Sequence, residues 1–110
     1  MPQNIFLAFA NSEISPLPTL SKEDDEIYAM LLADSKENGY DIIRESRATP
    51  ELINQRFALY GQDIAVFHFS GHAGSSELYF GDQIVHKEGL AYHLRESARN
   101  GVLKLVVLNG

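Results

Sequence analysis

The chain has 110 residues, with 9 Lys and Arg against 15 Asp and Glu, so its formal net charge is −6 with histidine neutral. Hydrophobic residues make up 45% and charged residues 22%, the balance of a folded globular domain. That excludes a disordered tail, a collagen-like repeat and a low-complexity linker, and the length leaves room for one short domain.

No basic residue adjoins another, so no Lys/Arg cluster is there to meet a phosphate backbone, and no nucleic-acid partner is expected. There is no cysteine, which removes a disulfide scaffold, a Cys-containing zinc site and a thiol nucleophile from these residues. The apolar runs are short, none nearing the roughly 20 residues of a membrane span, so no membrane partner is expected. Met1-Pro2-Gln3-Asn4 carries no basic flank of a secretory signal, and a cytoplasmic protein is the simplest reading.

The elements alternate in type. Asn4 to Ala10 is short and apolar, the pattern of a buried strand. A loop with two prolines follows, Asn11 to Thr19. Ser21 stands three residues before Asp24, which predicts a capping box at a helix start. The acidic run Glu23 to Glu26 then lies in the first turn, where the helix dipole favours negative charge. That helix runs through Ile27, Leu31 and Ala33 and stops near Asn38-Gly39. Tyr40 to Glu45 predicts a second strand.

Thr49-Pro50-Glu51 is a helix start: a Thr cap, Pro in the first turn, then an acid. Ile53, Phe57 and Tyr60 share one face of this helix, and Gly61 closes it. Asp63 to Phe69 predicts a third strand, and Ser70 to Ser76 a small-residue loop after it. Glu77 to Phe80 and Gln83 to Val85 flank Gly81-Asp82 as a small hairpin. Leu90, Ala91, Leu94 and Ala98 form a third helical stripe ending at Asn100-Gly101, and Val102 to Leu108 predicts a fourth strand.

Strands separated by helices pair in parallel through right-handed crossovers. The expected fold class is therefore α/β, a three-layer α/β/α sandwich on a mostly parallel sheet. Such sheets bind ligands at the carboxyl ends of their strands. Here those ends are Asn11-Ser12, the stretch from Ser70 to Ser76, and Asn109-Gly110. His72 stands there among Gly71, Ala73 and Gly74, and histidine is the usual proton carrier near neutral pH. The competing reading is a glycine-rich turn bearing a surface histidine.

The stretch Val66-Phe67-His68-Phe69-Ser70-Gly71-His72-Ala73-Gly74 resembles the histidine motif of CHAT domains, caspase-like proteins often fused to tetratricopeptide repeats. Leu105 to Gly110 resembles the strand leading to their catalytic cysteine. Leu7-Ala8-Phe9-Ala10-Asn11, Pro16 to Leu20 and the acidic helix follow the same order. The resemblance covers essentially the whole chain, and the histidine motif is its most specific part.

The resemblance implies a caspase-like, incomplete fold, the N-terminal part of a CHAT domain over residues 1–110. It implies cysteine endopeptidase chemistry on a protein or peptide substrate, with no cofactor. His72 takes the general acid/base role and the N–H of Ala73 donates to the oxyanion. Ala73 stands where Gly is more usual, and Gly71 where caspases themselves carry Ser. Gly71, Asn11 and Asn109 match positions that line the substrate pocket. The cysteine would follow Gly110, so the chain by itself is expected to be inactive. It reads as an excised piece, one fragment of a cleaved protein, or a shortened protein with a non-catalytic role. Its strand at 102–108 would then be an apolar edge. The partner expected there is the remaining half of the domain, another chain, or a second copy in a homo-oligomer.

The other polar residues have plainer readings. His68 and His72 lie about 13 Å apart along a strand, too far to share a metal unless the chain turns after Ser70. His68 between Phe67 and Phe69 reads as a core or face histidine, and His86 and His93 as solvated. The acidic run reads as a helix start. Ser70, Ser75 and Ser76 lack the G-x-S-x-G elbow of a serine hydrolase, and the loop lacks the phosphate-cradling G-x-x-x-x-G-K pattern. The alternative to a peptidase is a non-catalytic doubly wound domain that holds a peptide or partner domain at the same strand ends.

Overall fold

The computed structural model describes residues 3–10, 20–73, 77–80 and 83–109, with backbone only at positions 72, 73, 77, 79, 80, 83–87, 100 and 109. The order is β1 (Asn4–Ala10), α1 (Leu20–Asn38), β2 (Asp41–Glu45), α2 (Pro50–Tyr60), β3 (Ile64–Ala73), β4 (Glu77–Phe80), β5 (Gln83–His86), α3 (Lys87–Asn100) and β6 (Leu105–Asn109). β1 pairs in parallel with β2 and with β3, and β3 in parallel with β6. The result is a four-strand parallel sheet, β2-β1-β3-β6, in an α/β sandwich. β4 joins antiparallel to the far end of β3, and β5 antiparallel to β4.

Helices cover both faces, and the period of two along each strand decides what meets them. Phe6, Ala8, Phe67 and Phe69 bury against Ile53 and Phe57 of α2 and Leu90 of α3. The rings of Phe6, Phe57 and Phe67 meet at 5.3–5.7 Å between centroids in tilted or edge-on pairs, the geometry that ring quadrupoles favour. The other face is smaller. Leu7, Phe9 and Leu20 are buried there, with Ile27, Leu31 and Ile42 against them.

Local signals hold where neighbours in sequence decide. Thr49 is the cap of α2: its Oγ1 accepts from the Leu52 N–H at 3.2 Å, and Pro50 opens the first turn. Gly39 ends α1 with φ +74°, a left-handed backbone that glycine adopts without strain.

Four expectations need correction. The stretch from Ser70 to Ala73 continues β3 instead of forming a loop, because paired strands extend the ladder: Phe9 and Asn109, from distant segments, flank Ser70, Ala10 pairs with Gly71, and the adjacent β4 takes His72 and Ala73. The Ser21–Asp24 box is not a cap, since α1 already begins at Leu20 and Asp24 is buried against Arg44. The inward face of α3 carries Ser97 and leaves Ala98 exposed. The stripe is rotated because α3 comes close to the end of α2, where a side chain on Gly61 would meet Ser97 Oγ at 3.2 Å. β6 starts at Leu105, three residues later than expected. The expected features at 11–19, 74–76, 81–82 and 110 lie outside the described residues.

Candidate functional site

β3 runs past its neighbours. Ala10, the last residue of β1, pairs with Gly71, and Asn109, the last of β6, pairs with Ser70. His72 and Ala73 therefore stand beyond the carboxyl ends of the parallel strands, where they turn to Tyr79 and Leu78 of β4. Three of the sequence-derived site positions, Gly71, His72 and Ala73, are consecutive here. Asn109 lies one strand away, across from Ser70. Asn11 follows Ala10 in the chain and lies outside the described residues.

Gly71 has a packing reason of its own. A Cβ at this position would lie 2.5 Å from the Ala10 carbonyl oxygen and 3.0 Å from the Phe69 ring. The room left by the missing side chain is filled by β1 and Phe69.

The residue before this junction carries a polar network that the sequence does not reveal. Ser70, 1% exposed, donates its hydroxyl proton to Glu23 Oε1 at 2.7 Å. His68 Nε2 lies 2.8 Å from Ser70 Oγ. An ionised carboxylate only accepts, and a hydroxyl has one proton to give. The network therefore requires His68 to carry its proton on Nε2 and donate it to Ser70. Nε2 is also 3.9 Å from Glu23 Oε1. Burial pushes the His68 pKa below its ordinary value near 6.5, opposed by the Glu23 charge. The Phe9 ring stands 5.8 Å from the imidazole.

This arrangement is not a serine-hydrolase triad. Ser70 lies inside the ladder, buried, and gives its proton to the acid instead of to histidine. No turn follows Ser70, so the strand keeps His68 and His72 apart. Among the described residues no group of three or more His, Asp or Glu side chains is placed to hold a metal ion.

The rest of the acidic run is also engaged. Arg44 of β2 donates through Nε to Asp24 and through an NH2 group to Asp25, both at 2.8 Å, with its guanidinium 4.2 Å from the Tyr28 ring centroid. Lys22 and Glu26 form an exposed pair at 3.8 Å. The sequence places these acids in the first turn; with α1 starting at Leu20, Glu23 is the acid that lies there, and the partners of Glu23, Asp24 and Asp25 come from β3 and β2. His93 is not simply solvated: it stacks on Phe57 with 5.8 Å between centroids. It lines a cavity of about 210 Å³ between α2, α3 and β4, walled by Ile53, Leu78 and Leu90. The His86 side chain lies outside the described residues.

No family model and no curated protein matches this chain. No helix among the described residues is long and apolar enough to cross a membrane.

Proposed function

We propose that this chain is the histidine-bearing part of a caspase-like cysteine endopeptidase of the CHAT type, acting on protein or peptide substrates in the cytoplasm. The observation that carries this reading is the place of His72 and Ala73. They stand beyond the carboxyl ends of β1 and β6, the edge at which an open parallel sheet holds ligands. A thiol on the chain continuing from β6 would emerge at the same edge, because Asn109 lies across from Ser70.

The chemistry is acyl transfer. His72 takes the thiol proton, and the sulfur attacks the scissile carbonyl carbon as the carbonyl electron pair moves onto oxygen. The Ala73 N–H stabilises that oxyanion. The C–N bond then breaks, and His72 returns the proton to the leaving amine. Water, deprotonated by His72, releases the acyl group and restores the thiol. Gly71, Asn11 and Asn109 border the substrate. The 110 residues alone lack the nucleophile and are expected to cleave nothing.

Sequencing the coding region beyond the Gly110 codon is the first test. The reading requires Cys there, with further strands after it. His72→Ala in the encoded protein must then abolish cleavage and leave folding intact; a stop codon, a non-nucleophilic residue or undiminished cleavage overturns it.

A second reading is a non-catalytic binding domain. The apolar cavity favours it, because its wall includes Leu78, the residue paired with Ala73. Under this reading His72→Ala leaves function unchanged.

A further inference from the structure

Ser70 marks the point at which β3 changes partners. Among the described residues it is the last of β3 with a parallel neighbour on each side, Phe9 and Asn109. Gly71 keeps, among the described residues, only Ala10 of the parallel sheet, and His72 pairs with Tyr79 in an antiparallel hairpin. A strand at such a branch loses half of its guiding ladder. Something else must set the direction in which it leaves.

We propose that Glu23, Ser70 and His68 form a partly buried hydrogen-bonded tether, centred on the buried Ser70, that fixes the branch point of β3 and so positions the backbone of His72 and Ala73. The benefit to catalysis rests on the peptidase reading above; the tether itself does not.

The geometry argues for a directional role. Glu23 comes from the first turn of α1, 47 residues away in sequence, and reaches the one residue where the ladder divides. Its oxygen accepts the Ser70 proton at 2.7 Å, and His68, two residues back on the same strand, completes the chain at 2.8 Å. The apolar core on this face is small, with Leu7, Phe9 and Leu20 its buried members. Apolar contact has no direction, whereas a hydrogen bond is short and angle-dependent. Ser70 is the buried member of the three, and leaving its hydroxyl without a partner is costly, so it holds Glu23 and His68 in one arrangement. Ser70 is thus a positioning residue, walled in and unavailable as a nucleophile.

The test compares Glu23→Gln with Glu23→Ala, and adds Ser70→Ala. The glutamine carbonyl still accepts the Ser70 proton but carries no charge; alanine accepts nothing. Amide hydrogen exchange is read at Gly71, His72 and Ala73, with Phe6 and Phe67 as internal reports of global opening. The imidazole nitrogen shifts of His68 report its tautomer. Glu23→Ala and Ser70→Ala are expected to speed exchange at 71–73 by at least tenfold while Phe6 and Phe67 stay protected, and to release His68 from the Nε2–H form. Glu23→Gln is expected to stay near the wild type in both readouts. Equal behaviour of the glutamine and alanine variants overturns the proposal, as does acceleration shared equally by Phe6 and Phe67 or no change at 71–73. None of these readouts depends on proteolysis, so a failed His72→Ala cleavage assay overturns the peptidase reading without touching the tether.

Discussion

Arg44 Nε lies 2.8 Å from Asp24 Oδ1, so the edge strand β2 is held to the N-terminal part of α1 by a charge pair whose acid is 5% exposed. The same guanidinium reaches Asp25 and covers the Tyr28 ring. The planar fork makes these contacts together, which a lysine ammonium does not. Removing the cation leaves a buried carboxylate without its partner. Arg44→Met is expected to cost about 2–3 kcal/mol, and Arg44→Lys to recover only part of that. Urea denaturation of the three proteins checks this. A loss below about 0.5 kcal/mol would show the pair to be no better than an exposed one.

His68 makes stability depend on pH. Burial lowers its folded pKa below the ordinary value near 6.5, with Glu23 opposing. The unfolded chain therefore takes up a proton at a higher pH than the folded one. The stability tied to neutral His68 is complete above about pH 6.5 and is lost as pH falls from there through the folded pKa. One proton changes stability by at most about 1.4 kcal/mol per pH unit. Unfolding free energies measured between pH 5 and 8 should fall on the acid side, and His68→Gln should flatten that fall. A wild-type curve that rises on acidification would reverse the sign and refute the assignment.

Gly71→Ala tests the close approach of β1 to β3. The added Cβ would stand 2.5 Å from the Ala10 carbonyl oxygen, and a backbone atom in a paired strand cannot swing aside as a side-chain tip can. The expected loss is about 1–3 kcal/mol, with the largest amide shift changes at Ala10 and Gly71. Thermal unfolding unchanged from wild type would mean that the strands separate freely there.

The contrast between Thr49 and Ser70 shows what the sequence makes legible. Thr49, Pro50 and Leu52 settle the α2 start among themselves, so the local pattern is sufficient. The β1 strand is equally plain, because an apolar run between polar neighbours has few other fates. Ser70 to Ala73 look like a loop because small residues in a row usually are one. They are held as a strand by Phe9, Ala10 and Asn109, which no local window contains, and by the nearby Leu78 and Tyr79 of β4. The sequence singles out the candidate positions Gly71 to Ala73 through the resemblance of their motif. The Glu23–Ser70–His68 network stays invisible to it, since the pattern of an acid in a first helical turn is already explained by the helix dipole. Ser97 was missed for a similar reason: its burial follows from how closely α3 meets Gly61, a tertiary fact.

The last prediction concerns β6. Parallel sheets normally have both faces covered and their edges protected. Among the described residues β6 pairs with β3 alone, and Leu105, Val106 and Leu108 are 53%, 36% and 42% exposed. Adjacent residues point to opposite faces, so Leu105 and Val106 show that neither face of this strand is fully covered. An apolar strand with a free ladder edge takes up another strand. The isolated 110-residue chain is therefore expected to self-associate as its concentration rises. Val106→Lys, a charge at mid-strand, is expected to shift it towards monomer without lowering the stability of the β1–β3 core. Sedimentation velocity across the micromolar range reads the first effect, and amide exchange at Phe6 and Phe67 reads the second. A wild-type chain that stays monomeric and unfolds in one sharp transition would show that the edge needs no partner, and with it the expectation of a strand supplied from elsewhere would fall.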